Sequence, residues 1–242
     1  MTSTTALVTG ANKGIGKEIA RQLVSAGFTV YLGSRDAARG RAAAEEIGGD
    51  CHLVELDVTD EKSIAAAAAS IASLDVLINN AGVLVDSDTG PDASLSSFRA
   101  TYETNVFGVV AVTNAFLPAL RRSPAPRIVN ISSGTASLGA STDEAVRASA
   151  TGAPAVLSPG AVSYRSSKAA LNMITALYAQ ALPGFRVNAM APGLRATDLN
   201  GRARSLGDDP AEAAEGAVRL ARLDDDGPTG TFVSWDLSVM PW

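Results

Sequence analysis

The chain has 242 residues, of which 46% are hydrophobic, and a formal net charge of −5. This length suits one α/β domain with a sizeable core, and an acidic chain without a basic stripe argues against nucleic acid as the main partner. A single cysteine, Cys51, excludes an intramolecular disulfide. His52, the only histidine, is interpreted as structural. Because we see neither a leader nor a run of roughly 18 apolar residues, we expect a cytoplasmic protein without a membrane segment.

Strand-like and helix-like segments alternate along the whole chain. The predicted strands cover 5–9, 28–32, 51–56, 75–79, 127–131, 185–190 and 230–234, and the predicted helices cover 17–26, 37–47, 60–73, 96–120, 161–182 and 210–222. This alternation predicts one domain over residues 1–242, a Rossmann-type doubly wound parallel sheet with helices on both faces. Ligands of such sheets bind at the carboxyl ends of the strands.

A glycine-rich loop joins the first predicted strand to the first predicted helix. Strand, glycine turn and helix in succession are typical of a loop that binds the phosphates of a dinucleotide, because glycines allow close backbone approach and the helix N-terminus offers N–H groups. The spacing G-x-x-x-G-x-G differs from the usual G-x-G-x-x-G, and a glycine turn without a ligand is the alternative. The residues expected to contact the cofactor here are Gly10, Asn12, Lys13, Gly14, Ile15 and Gly16.

The residues after the second predicted strand bear on cofactor choice. An NAD site usually carries a carboxylate here to bind the ribose hydroxyls, whereas this chain has Ser34 and Arg35. Arg35 and Lys13 are expected to converge on a 2′-phosphate, and Asp36, one residue late, is interpreted as a helix N-cap. The sequence therefore favours NADP(H) over NAD(H), with solvated surface charge as the alternative for each basic residue.

Tyr164 and Lys168 are four residues apart on a predicted helix and so share one face of it. A tyrosine ordinarily has a pKa of ~10, and a positive neighbour lowers this pKa towards the range useful for proton transfer. By itself the pair proves little, because a Tyr and a Lys one turn apart occur by chance on many helices, and surface packing is the commoner explanation.

Several motifs occur together along the chain: Thr9–Gly16, Asn79-Asn80-Ala81-Gly82, Asn105, Ile131-Ser132-Ser133, Tyr164-x-x-x-Lys168 and Pro192-Gly193. Their order resembles that of the short-chain dehydrogenases/reductases, and the resemblance covers essentially the whole chain. The Asn12-Lys13-Gly14 sequence and the long interval before Tyr164 are most similar to the carbonyl-reductase-like branch.

The resemblance implies a catalytic role for four residues. Tyr164 would protonate a carbonyl oxygen as hydride arrives from the nicotinamide, and Lys168 would lower the pKa of the tyrosine and bind the nicotinamide ribose. Ser133 would hydrogen-bond the same oxygen, with Ser132 as the alternative because strand alternation directs only one of the two into the site. Asn105 would anchor a water that relays protons to Lys168.

The implied activity is NADPH-dependent reduction of a ketone, aldehyde or quinone-like carbonyl. The alternatives are NADP-dependent oxidation of a secondary alcohol, a cofactor-sensing protein without catalysis, and an interaction protein that uses its apolar helices. Neither nucleic acid nor a membrane is an expected partner. The remaining cofactor contacts are expected from Asp57 and Val58 at the adenine, from Asn79, Ala81 and Gly82 at the ribose and nicotinamide, and from Pro192, Gly193 and Thr197 near the nicotinamide and diphosphate.

The interval 134–160 reads as an insert before the Tyr164 helix. Ser141–Glu144 resembles a capping box and predicts a short helix starting there, and 153–160 is expected to return as a loop near the active site. Segments 104–120 and 161–182 carry few charges, which predicts burial on both sides. The resemblance implies either a homo-oligomer through these helices or a monomer whose insert covers them, and a monomer is favoured.

Overall fold

The computed structural model describes residues 3–85, 92–143, 145, 160–197, 199, 205 and 208–242. Within these residues a seven-stranded sheet has the order β3-β2-β1-β4-β5-β6-β7, and all its pairings are parallel. The strands are β1 Thr5–Val8, β2 Thr29–Ser34, β3 Cys51–Glu55, β4 Val76–Asn79, β5 Arg127–Ile131, β6 Arg186–Ala191 and β7 Phe232–Ser234. The predicted doubly wound parallel sheet is confirmed.

Helices cover both faces of this sheet. They are α1 Gly14–Ser25, α2 Ala37–Ile47, α3 Glu61–Ser70, α4 Leu95–Tyr102, α5 Gly108–Leu120, α6 Leu138–Thr142, α7 Val162–Ala181 and α8 Pro210–Ala221. Alternate strand residues enter different cores, as the two-residue period of a strand requires: Ala6 and Val8 pack with α1, α2 and α8, whereas Leu7 packs with α3 and α5. Among the described residues, none of the helices combines the length and apolar character needed to cross a bilayer.

The predicted helix 96–120 is not continuous. Glu103–Phe107 forms a π-helical turn between α4 and α5. Such insertions are frequent at functional sites, and this one contains Asn105. Hydrophobic periodicity does not reveal the interruption because the apolar residues continue across it.

Ser141, the first residue of the predicted capping box, lies inside α6, which Ser137 caps by accepting from the Ala140 N–H at 3.0 Å. Asp143 Oδ1 accepts from the N–H of Ala145, a helical residue, at 2.8 Å, so a helix start near 141–144 stays a prediction. The earlier start of α6 follows because Ser137 leaves a 3₁₀ turn, Gly134–Ala136, in the extended conformation that an N-cap needs. Glu144 and residues 153–159 lie outside the described residues.

The two helices predicted to be buried on both sides keep one open face in the single chain. Phe107, Met173 and Leu177 are respectively 56%, 57% and 48% exposed. The choice between a monomer and a homo-oligomer therefore stays a prediction. His52 lies on the outer strand β3, with its Nε2 2.6 Å from Asp50 Oδ1.

Candidate active site

A cleft of about 250 Å³ lies at the carboxyl ends of the strands, the edge that the fold class predicts. Most of the predicted cofactor residues form its wall. They are Gly10, Asn12, Lys13, Gly14, Ile15, Gly16, Arg35, Asp57, Val58, Ala81, Gly82, Tyr164, Lys168, Pro192 and Thr197. Ser34, Asn79 and Gly193 were also predicted there and are not part of the wall.

The glycine loop leaves no room for side chains at two positions. Gly10 has φ +64°, and a Cβ atom there would lie 3.0 Å from Ala81 Cα. A Cβ atom on Gly16 would overlap Asn80 Nδ2 and lie 2.8 Å from the Gly10 carbonyl oxygen. The loop thus brings bare backbone to the cleft, the surface that a pyrophosphate needs.

The start of α1 presents N–H groups to the same cleft. Its first turn contains no acidic residue, and the N-cap Lys13 makes no side-chain capping hydrogen bond. The first N–H groups of the helix and its dipole are therefore available to an anion. The described loop fits the phosphates of a dinucleotide.

At the end of β2, the side chains that could have recognised ribose hydroxyls are already used. Ser34 is buried, and its Oγ donates to the Asp36 carbonyl at 2.8 Å. The Asp36 carboxylate caps α2 by accepting from the Arg39 N–H at 3.0 Å, which confirms its predicted capping role. The Ser34 side chain is therefore engaged away from the cleft, and its predicted cofactor contact stays a prediction, whereas Arg35 and Lys13 are exposed and line the cleft.

Asn79 was predicted to contact the cofactor, but its side chain does not reach the cleft, so a contact through this residue stays a prediction that only its backbone could fulfil. Asn79 is buried beneath the cleft, where its Nδ2 donates to Thr113 Oγ1 at 3.1 Å and to Asn130 Oδ1 at 2.9 Å. Asn80 lies in the wall instead and donates to the Thr9 carbonyl at 2.9 Å. The reason is strand alternation: Asn79 is the last residue of β4 and faces α5, whereas Asn80 begins the loop.

The turn after β6 brings Pro192 and Thr197 to the cleft but directs Gly193 away from it. Gly193 has φ +74°, and a Cβ atom there would lie 3.5 Å from Trp235 Cδ1. Thr197 faces the glycine loop, with its Cγ2 3.4 Å from the position of a Cβ atom on Gly14. Gly193 allows the positive φ of this turn, and its predicted cofactor contact stays a prediction.

Lys168 reaches from α7 to the floor of the cleft. Its Nζ donates to the Ile131 carbonyl at 2.8 Å and lies 5.9 Å from the ring centroid of Tyr164. The side chain is buried, and this desolvation lowers the pKa of Lys168 from 10.5 to about 8. Lys168 is consequently protonated at neutral pH and releases its proton far more readily than an exposed lysine.

Two opposing effects act on Tyr164. Burial raises the pKa of Tyr164, and a hydrogen bond with the Ser133 side chain lowers it by a smaller amount. The net direction is upward, opposite to the lowering expected from the nearby ammonium. Sequence spacing indicates that the two groups are close but not how much water surrounds them, and burial is the larger effect.

Ser132 and Ser133 face different surroundings. The Ser132 hydroxyl is buried and donates to Asn172 Oδ1 at 2.6 Å. Ser133 is half-buried, with its Oγ 2.9 Å from Thr135 Oγ1 and in hydrogen-bond contact with Tyr164. Of the two serines, Ser133 has the hydroxyl that accompanies Tyr164.

Asn105 is fully buried and absent from the cleft wall. Its Oδ1 accepts from the Val83 N–H at 2.9 Å, and its Nδ2 donates to the Val83 carbonyl at 2.9 Å and to Ser167 Oγ at 3.1 Å. Both amide hydrogens are used, so only acceptor groups of Asn105 remain for the predicted water. Its evident task is to hold the backbone of Val83, which does line the cleft.

Eight further residues line the wall without having been predicted as cofactor contacts, although Asn80, Ile131 and Ser132 lie within the motifs quoted above. Leu56, Asn80 and Ile131 lie at or just past strand ends, so a rule that includes the first residues after every strand finds them. Thr104 and Leu199 reach the cleft from distant segments, and no local signal indicates this. The additional wall residues are Leu56, Thr59, Asn80, Val83, Thr104, Ile131, Ser132 and Leu199.

The lowered pKa of Lys168 makes stability depend on pH. Folded protein without cofactor releases this proton near pH 8 and unfolded protein near pH 10.5, so the unfolded state binds more protons between these values and stability rises with pH. Relative to Lys168→Met, we expect the wild type to gain about 1.5 kcal/mol between about pH 8 and about pH 9.5 in urea unfolding. Parallel pH slopes for the two proteins would contradict a buried ammonium.

Comparison with known proteins agrees with this geometry. The family model described as short chain dehydrogenase matches residues 4–206. The chain is 35% identical to (−)-isopiperitenone reductase of Mentha piperita in an alignment 307 positions long, which covers 97% of each chain. The structure of salutaridine reductase from Papaver somniferum has a TM-score of 0.79 at 31% identity over 95% of this chain and 99% of that chain. ElxO with NADP bound has a TM-score of 0.80 at 25% identity, covering 96% and 97% respectively.

The matched family and relatives, together with the parallel sheet and the dinucleotide-type glycine loop, indicate an oxidoreductase that uses a nicotinamide cofactor and acts on CH–OH or C=O groups. The chain belongs to the short-chain dehydrogenase family. Among the described residues, no group of three or more histidine, cysteine, aspartate or glutamate side chains is arranged to hold a metal ion.

Proposed function

We propose that the protein reduces a ketone, aldehyde or quinone-like carbonyl to the alcohol with NADPH, and that Tyr164 is the general acid. The observation that carries this proposal is that Tyr164 and Lys168 line the same cleft and that the side chain of Ser133, which is not part of its wall, is a hydrogen-bond partner of Tyr164. The Lys168 ammonium lies 5.9 Å from the centroid of the tyrosine ring. Isopiperitenone reductase and salutaridine reductase are named as reductases, whereas the relative (+)-neomenthol dehydrogenase of Capsicum annuum is named for the opposite direction.

The properties of these groups suit proton donation. Because burial raises the pKa of Tyr164, the phenol is protonated at neutral pH and has a proton to give. Loss of that proton creates a phenolate, and the buried ammonium of Lys168 stabilises the negative charge. The Ser133 hydroxyl donates a hydrogen bond to the carbonyl oxygen as charge develops there. A bound nicotinamide supplies the hydride.

Positive charge at the end of β2 supports a preference for NADPH. The nearest carboxylate in sequence, Asp36, is engaged at the N-terminus of α2, and Ser34 is buried. Arg35 and Lys13 line the cleft there, and two cations suit a 2′-phosphate better than a ribose hydroxyl. The structural neighbour ElxO, solved with NADP bound, adds support.

The decisive experiment is an assay of NADPH consumption with aldehydes, open-chain ketones, cyclic ketones and quinones. Isopiperitenone and salutaridine belong in the panel because relatives are named for them. We expect at least one class to be reduced to its alcohol with one NADPH oxidised per product. If NADPH binds but no carbonyl is reduced, the protein is a cofactor sensor. If turnover occurs only with secondary alcohols and NADP⁺, the physiological direction is oxidation.

A further inference from the structure

The turn that follows Ser133 is held by a distant part of the chain, residues 235–242. The Gly139 N–H donates to the main-chain oxygen of Trp242 at 2.8 Å, and the Ser137 hydroxyl donates to the same oxygen at 3.5 Å. One main-chain oxygen thus accepts from two residues at the start of α6. The 235–242 segment and α6 are tied together although more than ninety residues separate them.

The 235–242 segment is itself anchored to the sheet. The Trp242 ring stacks on Phe232, with centroids 5.6 Å apart and planes 25° apart, and Phe232 is a buried residue of β7. The Met240 N–H donates to the Phe232 carbonyl at 2.9 Å. A stacked aromatic pair stabilises the fold by more than the apolar area it buries. The ring of Trp242 therefore fixes the position of the main-chain oxygen of the same residue relative to β7.

Contacts continue from this segment towards Ser133. Met240 Cε lies 3.5 Å from the position of a Cβ atom on Gly134, the residue after Ser133. Ser133 Oγ accepts from the Thr135 N–H at 3.3 Å and lies 2.9 Å from Thr135 Oγ1. The orientation of the Ser133 hydroxyl therefore depends on where the 3₁₀ turn Gly134–Ala136 sits.

A second clamp holds the same turn from the side of Tyr164. Arg165 Nε donates to the Thr135 carbonyl at 3.4 Å, and Arg165 Nη2 donates to Ser141 Oγ at 3.2 Å. The turn is held between α7, which carries Tyr164, and the 235–242 segment. Movement of either support changes the distance between the Ser133 and Tyr164 hydroxyls.

We propose that Trp242 and Met240 are positioning residues for Ser133, acting through the 3₁₀ turn and the start of α6. This proposal rests on the proposed function, in which Ser133 binds the carbonyl oxygen and hydrogen-bonds Tyr164. It assigns to the 235–242 segment a role in the chemical step although its ring and thioether lie outside the cofactor cleft. Without the Trp242 ring, the main-chain oxygen that accepts from Gly139 and Ser137 is no longer fixed relative to β7.

The first test compares Trp242→Ala with Trp242→Phe. We expect Trp242→Ala to lower kcat about tenfold, less than the loss of a whole oxyanion donor, with the NADPH dissociation constant unchanged within about twofold. Trp242→Phe keeps a ring to stack on Phe232 and should restore most of kcat. Val239→Ala is the matched control because its side chain is 81% exposed in the same segment.

A double-mutant cycle with Ser133→Ala separates positioning from general damage. If Trp242 acts through Ser133, Trp242→Ala causes no further loss of kcat once Ser133 is alanine. If the loss of kcat in the double variant equals the product of the losses in Ser133→Ala and Trp242→Ala, the proposal is refuted. Met240→Ala, measured in the same cycle, supplies a second variant if Trp242→Ala proves too unstable to assay, and it should show the same coupling.

The pH profile gives an independent readout. The hydrogen bond from Ser133 lowers the pKa of Tyr164, so weakening it raises that pKa. The alkaline limb of kcat for carbonyl reduction should shift to higher pH in Trp242→Ala, as in Ser133→Ala. A Trp242→Ala enzyme with wild-type kcat and pH profile refutes the positioning role alone, whereas failure of the wild type to reduce any carbonyl refutes the proposed function.

Discussion

Tyr164→Phe is expected to reduce kcat for carbonyl reduction by about a thousandfold, within the range that general acids contribute. The substitution removes only the hydroxyl that donates the proton and retains the ring that lines the cleft. The NADPH dissociation constant should therefore change by less than about twofold. Steady-state kinetics and a fluorescence titration with NADPH measure the two quantities on the same preparation.

Tyr178→Phe is the matched control for this prediction. Tyr178 lies on the same helix, and its hydroxyl donates to Asn114 Oδ1 at 2.7 Å rather than entering the cleft. Its loss should leave kcat and cofactor binding close to the wild type. If Tyr164→Phe keeps substantial activity while Tyr178→Phe behaves as expected, Tyr164 is not the proton donor.

Arg35→Asp should weaken NADPH binding by about a hundredfold and leave NADH binding nearly unchanged. A charge-assisted hydrogen bond contributes about 1.5–3 kcal/mol, and the new carboxylate repels a 2′-phosphate while accepting from ribose hydroxyls. The ratio of kcat/KM for NADPH and NADH is the measurement. The ratio should shift towards NADH. The shift is attributed to the side chain at position 35 alone, because Asp36 caps α2 and Ser34 is buried.

Arg41→Asp makes the same charge change at an exposed position of α2 outside the cleft wall. It controls for the long-range effect of two units of negative charge on the binding of an anionic cofactor. We expect it to weaken both cofactors slightly and equally. An unchanged ratio in Arg35→Asp would refute the assignment of Arg35 to the 2′-phosphate.

Local patterns were sufficient for the parts of the molecule that depend on local physics. Apolar runs and periodicity predicted the strands within one or two residues, and the glycine loop was found because strand, tight turn and helix adjoin in sequence. Asp36 was correctly interpreted as a cap, since capping involves neighbours a few residues apart.

Sequence reasoning was insufficient where a side chain has a choice of directions. Asn79 and Asn80 are adjacent and chemically identical, but only Asn80 lines the cleft, because strand β4 directs the Asn79 side chain into the core. Helix α6 begins after Ser137, ahead of the predicted start at Ser141, because the preceding 3₁₀ turn sets the backbone there. Residue type alone did not distinguish these alternatives.

The sequence by itself determined the class of sheet, the glycine loop and the shared face of Tyr164 and Lys168, since each depends on residues close together in the chain. Only the tertiary structure decided the protonation properties of that pair, because desolvation depends on everything packed around them. It also brought Trp242 and Met240 to the turn after Ser133. Contacts between segments so far apart leave no local pattern and exist only once the sheet has brought the segments together.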